Sequence, residues 1–179
     1  DYGKERRAHS KKYFLIVSRL AAYKKIDVVI EAFNMLGLPL VIIGTGPERE
    51  RLEGMAGENI EFRGFITDEE LREHYQNAVA LIVACEEDFG ISAIEALSFG
   101  APVLAYSKGG ITEWMEEGVT GEFFDAQTPA GICEGVRKIL HGVMGYDPVH
   151  LLDVAQRFNE DAFRTAILSR IPPCRGVDK

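Results

Sequence analysis

Short apolar segments that alternate with helical ones limit most strongly how this 179-residue chain can fold. Runs rich in Val, Ile and Leu predict strands, and segments with apolar residues at helical spacing or with helix-start signals follow them. Parallel strands need long, usually helical, crossovers, so this order predicts βαβ units and an α/β fold: a Rossmann-like, doubly wound parallel sheet with helices on both faces. The predicted strands are 13–18, 38–46, 60–66, 78–85, 101–106 and 121–124.

The length fits one domain, residues 1–179, with a core of about 12–145 and a helical tail at 147–171. Thr67 and Glu70 form the spacing of a capping box. Pro47 suits the first turn of a helix, and 109–118 is predicted to be a short helix. The predicted helices of the core are 26–36, 47–56, 67–78, 91–100, 109–118 and 128–142.

Charge and cysteine usage exclude several classes of protein. Lys plus Arg number 20 against 28 Asp plus Glu, and a net charge of -8 argues against nucleic acid as a partner. Cys85, Cys133 and Cys174 show no metal-ligand spacing and indicate reduced thiols in a cytoplasmic protein. No apolar run approaches the ~18 residues that span a bilayer. Action at the membrane surface stays open, because an acceptor could be lipid-linked.

Residues just after the predicted strands are the candidates for a site, because doubly wound sheets bind ligands beyond the carboxyl ends of their strands. Arg19 and Lys24 follow the first strand and could bind a diphosphate. The Arg19 guanidinium could donate two hydrogen bonds at once, and the Lys24 ammonium could add a point charge. A solvated loop with a Lys pair is the alternative. Gly44 to Gly46 could let a nucleotide base approach the backbone or could form a plain tight turn; the dinucleotide fingerprint is incomplete.

The junction after the fourth strand carries two carboxylates, Glu87 and Glu95. Phe89, Gly90 and Ile91 lead into a helix whose first amides favour an anion, and Gly90 would permit close approach of a ligand. Glu95 has apolar neighbours, so we expect it to be largely buried and to need a partner, which a sugar hydroxyl could supply. The alternative is that both carboxylates only complement the helix dipole, by about 0.3–1 kcal/mol.

Other site chemistries find no support in the sequence. No Ser-His-Asp or Cys-His set can be assembled, because His9, His74, His141 and His150 fall away from the strand ends. No Asp-x-Asp pair is present, which argues against a metal-bridged diphosphate.

In their order, the motifs SRLAAYKKID, VIIGTGPE, IEFRGFI, EEDFGISAIEALSFGAPVLAYSKGG and GVTGEFF resemble the donor-nucleotide domain of group-one, family-four retaining glycosyltransferases. The resemblance covers about residues 12–170 and is most specific at the E-x7-E pair Glu87 and Glu95; it is closest to the O-antigen mannosyltransferase branch. It implies a GT-B enzyme that transfers a hexose from a nucleotide diphosphate sugar, without a cofactor or an obligatory metal, and GDP-mannose is the first guess.

The resemblance also implies roles for individual residues. Arg19 and Lys24 would hold the diphosphate and stabilise the leaving group, and Glu87 completes the catalytic set beside the hexose. Phe89, Gly90 and Ile91 would meet the donor hexose and phosphate, and Glu95 would bind the ribose hydroxyls. Gly46 and the backbone near Phe65 and Ile66 would border the base.

Two departures from the family pattern matter. Lys25 stands where the family usually has Gly, which leaves open whether Lys24 or Lys25 points inward; Lys24 is favoured. GT-B enzymes have two Rossmann-like domains, and only the second is recognisable here, so we expect an N-terminal acceptor domain in cis or as a separate subunit and little activity without it. The alternative is a non-catalytic nucleotide-sugar-binding or regulatory module. A sugar-nucleotide epimerase ranks low, because acid-base side chains near Glu87 are lacking.

Overall fold

Six parallel strands form one sheet in the computed structural model, which describes residues 12–143 and 145–170. The strands are β1 (Tyr13–Val17), β2 (Leu40–Ile43), β3 (Ile60–Gly64), β4 (Ala78–Val83), β5 (Val103–Tyr106) and β6 (Gly121–Phe124). Their order is β3-β2-β1-β4-β5-β6, the strand order of the Rossmann fold. The predicted doubly wound sheet is therefore confirmed. His9, Cys174 and Ile171, the last residue of the predicted tail, lie outside the described residues.

Helices cover both faces of this sheet. They are α1 (Ile26–Leu36), α2 (Arg49–Met55), α3 (Asp68–Asn77), α4 (Ile91–Ser98), α5 (Pro129–Gly142), α6 (Pro148–Gln156) and α7 (Glu160–Arg170). On one face α1 packs against α2 and α5, and on the other α4 packs against α3 and α6. No helix in these two described ranges is both long and apolar enough to cross a bilayer.

Position in the sheet explains the composition of each strand. All four residues of β2 and of β5 are buried, because strands inside a doubly wound sheet contact helices on both faces. By contrast, β3 lies at an edge, and its two exposed residues, Glu61 and Arg63, form an ion pair with 2.9 Å between Arg63 Nη2 and Glu61 Oε1. Charges of this kind protect an open edge from pairing with another chain.

The helix boundaries follow the sequence signals with two exceptions. Thr67 and Glu70 form the predicted capping box at the start of α3. The helix predicted from 47 begins only at Arg49, so Pro47 precedes it. The helix predicted at 109–118 is wrong: only a 3₁₀ turn forms, over Gly110–Glu113. It cannot extend towards its amino end because Gly109 has φ +87° and pairs with the loop that follows β4.

The strand order brings together two loops that are distant in the sequence. The chain enters the sheet at β1 and extends outwards to β3, and it then crosses back so that β4 pairs with the other side of β1. At this reversal of direction the loops after β1 and β4 diverge and leave a crevice at the carboxyl ends of the strands. The fold therefore directs attention to the loops of residues 18–24 and 86–90.

Candidate active site

An ion pair between Lys24 and Glu87 lies at this crevice. Lys24 ends a 3₁₀ turn after β1 (Ala22–Lys24), and Glu87 belongs to the loop after β4. The Lys24 Nζ lies 2.6 Å from the Glu87 Oε2, and the two side chains are only 16% and 26% exposed. Because both side chains are partly desolvated, solvent screens their attraction less than it screens a surface ion pair, and the two charges are held in place before a ligand binds.

The surroundings of the pair determine its protonation. Burial opposes the charge on Lys24, but the hydrogen bond to Glu87 and the nearby carboxylate outweigh it and raise the pKa of Lys24 above its usual value. Burial raises the pKa of the Cys85 thiol to about 11. The thiol therefore keeps its proton and donates to the same Glu87 Oε2 at 3.4 Å. Lys24 remains a cation, available to an anion that displaces or shares its carboxylate partner.

Two adjoining spaces open at the carboxyl ends of the strands. A small cavity of about 20 Å³ lies between Lys24, Glu87, Cys85 and Ser92. An open cleft of about 600 Å³ lies at the ends of β1, β2 and β3. Val17 and Ser18 border both spaces, so the cleft and the ion pair belong to one region. Four of the predicted site residues line the cleft: Arg19, Gly46, Phe65 and Ile66.

The start of α4 provides donors next to the ion pair. Gly90 is the N-cap residue and offers no capping side chain, and its carbonyl accepts from the amides of Ala93 and Ile94. Within the described residues the amides of Ile91 and Ser92 have no protein acceptor, as is usual in a first helical turn. These free donors, together with the positive end of the helix dipole, favour an anion.

The structure does not bring the three residues Phe89, Gly90 and Ile91, which were predicted to meet the donor, into the cavity or the cleft. Gly90 is buried with φ +80°, so its backbone requires glycine independently of any ligand. Phe89 is 46% and Ile91 68% exposed, and neither lines the cavity or the cleft.

The segment after β5 holds the loop of residues 86–90, hereafter the site loop, in place. Gly109 forms a parallel bridge with Glu87, and the Ile111 amide donates to the Glu87 carbonyl at 3.4 Å. The Trp114 Nε1–H donates to the Phe89 carbonyl at 3.0 Å. Sequence reasoning missed Trp114, because no local pattern connects it with a loop 25 residues earlier. Backbone contacts therefore fix the position of Glu87 before any ligand binds.

Glu95 is found in a different environment from the one expected. It lies on the exposed side of α4, which contradicts the expectation that it is largely buried. Its Oε2 accepts a hydrogen bond of 2.8 Å from the buried hydroxyl of Tyr75, whose pKa is raised chiefly by burial. Glu95 thus has an internal partner and does not line the cleft, although Leu71, one turn before Tyr75, does. Its contact with a ribose remains a prediction.

Gly46 also has a structural reason to be glycine. A Cβ at this position would lie 2.2 Å from the Leu20 carbonyl oxygen, and the Leu20 amide donates to the Thr45 carbonyl at 2.9 Å. The loops after β1 and β2 therefore pack backbone against backbone beneath the cleft. The tight-turn and ligand-approach interpretations are compatible, because Gly46 also lines the cleft.

Lys25 occupies a backbone conformation that favours glycine. Lys25 has φ 56° and ψ 31°, the left-handed conformation that favours glycine, and its side chain is exposed. Since Lys24 pairs with Glu87, Lys24 is the lysine that faces the site, as favoured from the sequence. A glycine at position 25 would adopt the same backbone without strain.

We expect Lys25→Gly to raise the free energy of unfolding by about 0.5–1 kcal/mol, because relief of left-handed strain outweighs the added entropy of the unfolded chain. Urea denaturation monitored by fluorescence measures this change. Gly37→Ala is the matched control, because Gly37 also has a positive φ of +65° and no atom lies within 4 Å of an added Cβ. Backbone strain alone should lower the free energy of unfolding of this variant by about 1 kcal/mol. A destabilised Lys25→Gly variant would contradict this account.

The chain is similar in sequence to a known family and to individual known proteins. The profile of the family described as glycosyl transferases group 1 matches residues 2–161. An uncharacterized glycosyltransferase of Methanocaldococcus jannaschii is 33% identical over 139 residues, which cover 72% of this chain and 36% of the relative. A GDP-mannose-dependent α-(1-6)-phosphatidylinositol monomannoside mannosyltransferase of Mycobacterium tuberculosis is 28% identical over 142 residues, 69% of this chain and 37% of the relative.

Solved structures share the fold at lower identity. Anabaena HepE in complex with UDP and glucose has a TM-score of 0.76 and 19% identity, and the match covers 95% of this chain and 51% of HepE. The chain thus spans about half of that solved structure and about a third of the curated relatives it matches.

Proposed function

The chain belongs to the glycosyl transferases group 1 family, and from this premise we propose that it is the donor-binding half of a hexosyltransferase. It binds a nucleotide diphosphate sugar, with GDP-mannose as the proposed donor. The hexose passes with retained anomeric configuration to a glycan or a lipid-linked acceptor, and donor binding needs no metal ion.

The Lys24–Glu87 pair is the observation that carries this proposal. It combines a cation that can meet a phosphate with a carboxylate that can accept hydroxyl donors, at the position where parallel sheets bind ligands. When the bond between the anomeric carbon and the β-phosphate oxygen breaks, negative charge develops on the departing diphosphate. Lys24 and the first amides of α4 stabilise that charge from fixed positions, and the exposed Arg19 adds a second cation.

The proposed position of the nucleoside follows from the cleft. Its volume of about 600 Å³ lies within the range of about 300–1,000 Å³ that is typical of small-molecule sites. We propose that the base lies beside Gly46, Phe65 and Ile66, and that the ribose hydroxyls meet Glu95. The hexose would extend towards Glu87 and the turn of Phe89, Gly90 and Ile91.

The choice of base and the acceptor half are the finer parts of the proposal. The name of the mycobacterial relative supports GDP-mannose, whereas the ligands of HepE favour UDP and glucose. We further propose that an N-terminal GT-B domain, in cis or as a separate subunit, provides the acceptor site. Alignment of acceptor and donor supplies much of the rate of such reactions, so the described domain alone should transfer little.

Calorimetric titration of the chain with GDP, UDP and ADP in the presence of EDTA tests the proposal. We expect metal-independent binding of one nucleotide, GDP, in preference to the other two. Selective binding of UDP would retain the donor site but replace the proposed donor. Failure of all three to bind would contradict the proposed donor site. If the nucleotide binds but no hexose is transferred when the acceptor half is supplied, the chain is instead a non-catalytic binding module.

A further inference from the structure

An aromatic cluster of Phe89, Trp114 and Phe158 lies beside the site loop. The ring of Phe89 meets that of Phe158 edge to face, with 5.5 Å between the ring centroids. Phe158 meets Trp114 in the same way, with 5.7 Å between the centroids. Aromatic rings favour this arrangement because the positive edge of one ring faces the negative π-surface of the other. The hydrogen bond from Trp114 to the Phe89 carbonyl closes the cluster, so each member contacts the other two.

Phe158 brings the C-terminal helices into contact with the site loop. It lies in the turn between α6 and α7, and its amide donates to the Ala155 carbonyl at 3.1 Å. The side chain of the next residue, Asn159, accepts from the Ala162 amide in the first turn of α7 at 2.8 Å. The preceding helix, α6, packs against α4. The backbone of Phe158 is therefore fixed relative to the body of the domain, and its ring can support the loop.

The cluster adds a second attachment to the site loop. Backbone contacts with the segment after β5 hold the loop at Glu87, and the cluster holds it two residues later, at Phe89. Gly90 follows directly, and α4 begins there with the amides that favour an anion. Among the described residues, Phe158 is the one aromatic ring that pairs with Phe89. Loss of this ring should therefore loosen the segment that joins Glu87 to the first turn of α4.

We propose that Phe158 is a positioning residue of the donor site. It holds Phe89 and Trp114 in place and thereby fixes the site loop and the first turn of α4 in the conformation that receives the diphosphate. Phe158 lines neither the cavity nor the cleft, so it acts through these two neighbours rather than by contact with the ligand. This inference rests on the proposed function and extends the donor site to the turn between α6 and α7.

The Phe158→Leu variant tests this role first in the ligand-free protein, because leucine is apolar but has no ring. Trp114 is the only tryptophan of the chain, so tryptophan fluorescence reports on the cluster alone. We expect its emission to shift to longer wavelength in the variant, because water reaches the indole more readily. We also expect the amides of residues 86–92 to exchange with deuterium faster, which mass spectrometry measures.

Calorimetry on the full chain measures the consequence for binding, with GDP and UDP as probes in the presence of EDTA. A loop that adopts the binding conformation for only a fraction of the time lowers the apparent affinity by that fraction. We expect Phe158→Leu to bind the nucleotide that the wild type prefers about five- to tenfold more weakly. This loss corresponds to a loop that holds the binding conformation for about 10–20% of the time.

Phe123→Leu is the matched control, because Phe123 is also partly buried against the core but lies on β6, which β5 separates from β4. The same change of side chain should lower the free energy of unfolding in both variants, which urea denaturation measures. Only Phe158→Leu should shift the Trp114 emission, speed exchange at residues 86–92 and weaken binding. The affinity of Phe123→Leu for the nucleotide should stay within about twofold of the wild-type value, or about 0.4 kcal/mol.

The outcomes separate this inference from the function on which it rests. A wild-type chain that binds neither nucleotide would overturn the donor site and, with it, the role of Phe158. If the wild type binds and Phe158→Leu binds equally tightly, the positioning role is refuted and the donor site stands. An equal loss of affinity in Phe123→Leu would also refute it, because general destabilisation would then explain the effect. Unchanged exchange at residues 86–92 in Phe158→Leu would show that the cluster does not hold the loop.

Discussion

We expect the double substitution of alanine for Arg19 and Lys24 to lower the affinity for a nucleoside diphosphate by about a hundredfold or more and to leave the fold intact. Each cation would make a charge-assisted contact with the diphosphate, worth about 1.5–3 kcal/mol, and two such contacts amount to a hundredfold or more. The fold should survive because Arg19 is exposed and because backbone contacts hold the loop of Glu87 in place. Calorimetry measures the affinity, and circular dichroism checks the fold.

The control for this variant removes two cations far from the cleft. Lys12 precedes β1 at the amino end of the strands, opposite the cleft, and Arg137 is exposed on α5. The double replacement of these two residues with alanine changes the net charge equally and should leave nucleotide affinity within about twofold, or about 0.4 kcal/mol. Undiminished binding by the Arg19 and Lys24 variant would show that the phosphates bind elsewhere.

The second large effect concerns the packing of two loops at the site. Gly110→Ala should lower the free energy of unfolding by at least about 2–3 kcal/mol and weaken nucleotide binding. An added Cβ would lie 1.7 Å from the Asp88 carbonyl oxygen and 2.8 Å from its carbonyl carbon. Backbone atoms cannot rotate away as a side chain can, so one loop must move, and Asp88 adjoins Glu87. Urea denaturation and calorimetry measure the two effects.

Gly54→Ala is the matched control for this substitution. An added Cβ at Gly54 meets no atom within 4 Å, and the residue lies in α2. The helix propensity of alanine should therefore raise the free energy of unfolding of the Gly54→Ala variant by about 0.5–1 kcal/mol. The same chemical change then has opposite signs at the two positions. A Gly110→Ala variant as stable as the wild type would mean that the loops can separate at little cost.

Much of the fold could be predicted from local patterns. The apolar runs predicted all six strands, and the spacing of Thr67 and Glu70 predicted the capping box of α3, because both signals act between residues that are close in sequence. The failure at 109–118 has a tertiary cause. Its residues can form a helix locally, but the contact of Gly109 with Glu87 holds the backbone in another conformation.

The candidate site was predicted in part, by position rather than by contact. The rule that ligands bind at the ends of parallel strands singled out Arg19, Lys24 and Glu87, although it could not show that two of them touch. The environment of Glu95 was misjudged because its sequence neighbours are apolar, whereas its own side chain lies on the exposed side of α4. Its partner, Tyr75, comes from the preceding helix and carries no local signal.

The sequence by itself determined the βαβ order, the class of fold and the set of residues at the strand ends, since these depend on hydrophobic periodicity and on short-range signals. Only the tertiary structure decided the pairing of Lys24 with Glu87, the left-handed backbone of Lys25 and the hydrogen bond from Trp114 to the site loop. The pairing of Lys24 with Glu87 depends on the return of the chain from β3 to β4, which brings residues 63 positions apart to within 2.6 Å. No pattern along the chain encodes such a distance.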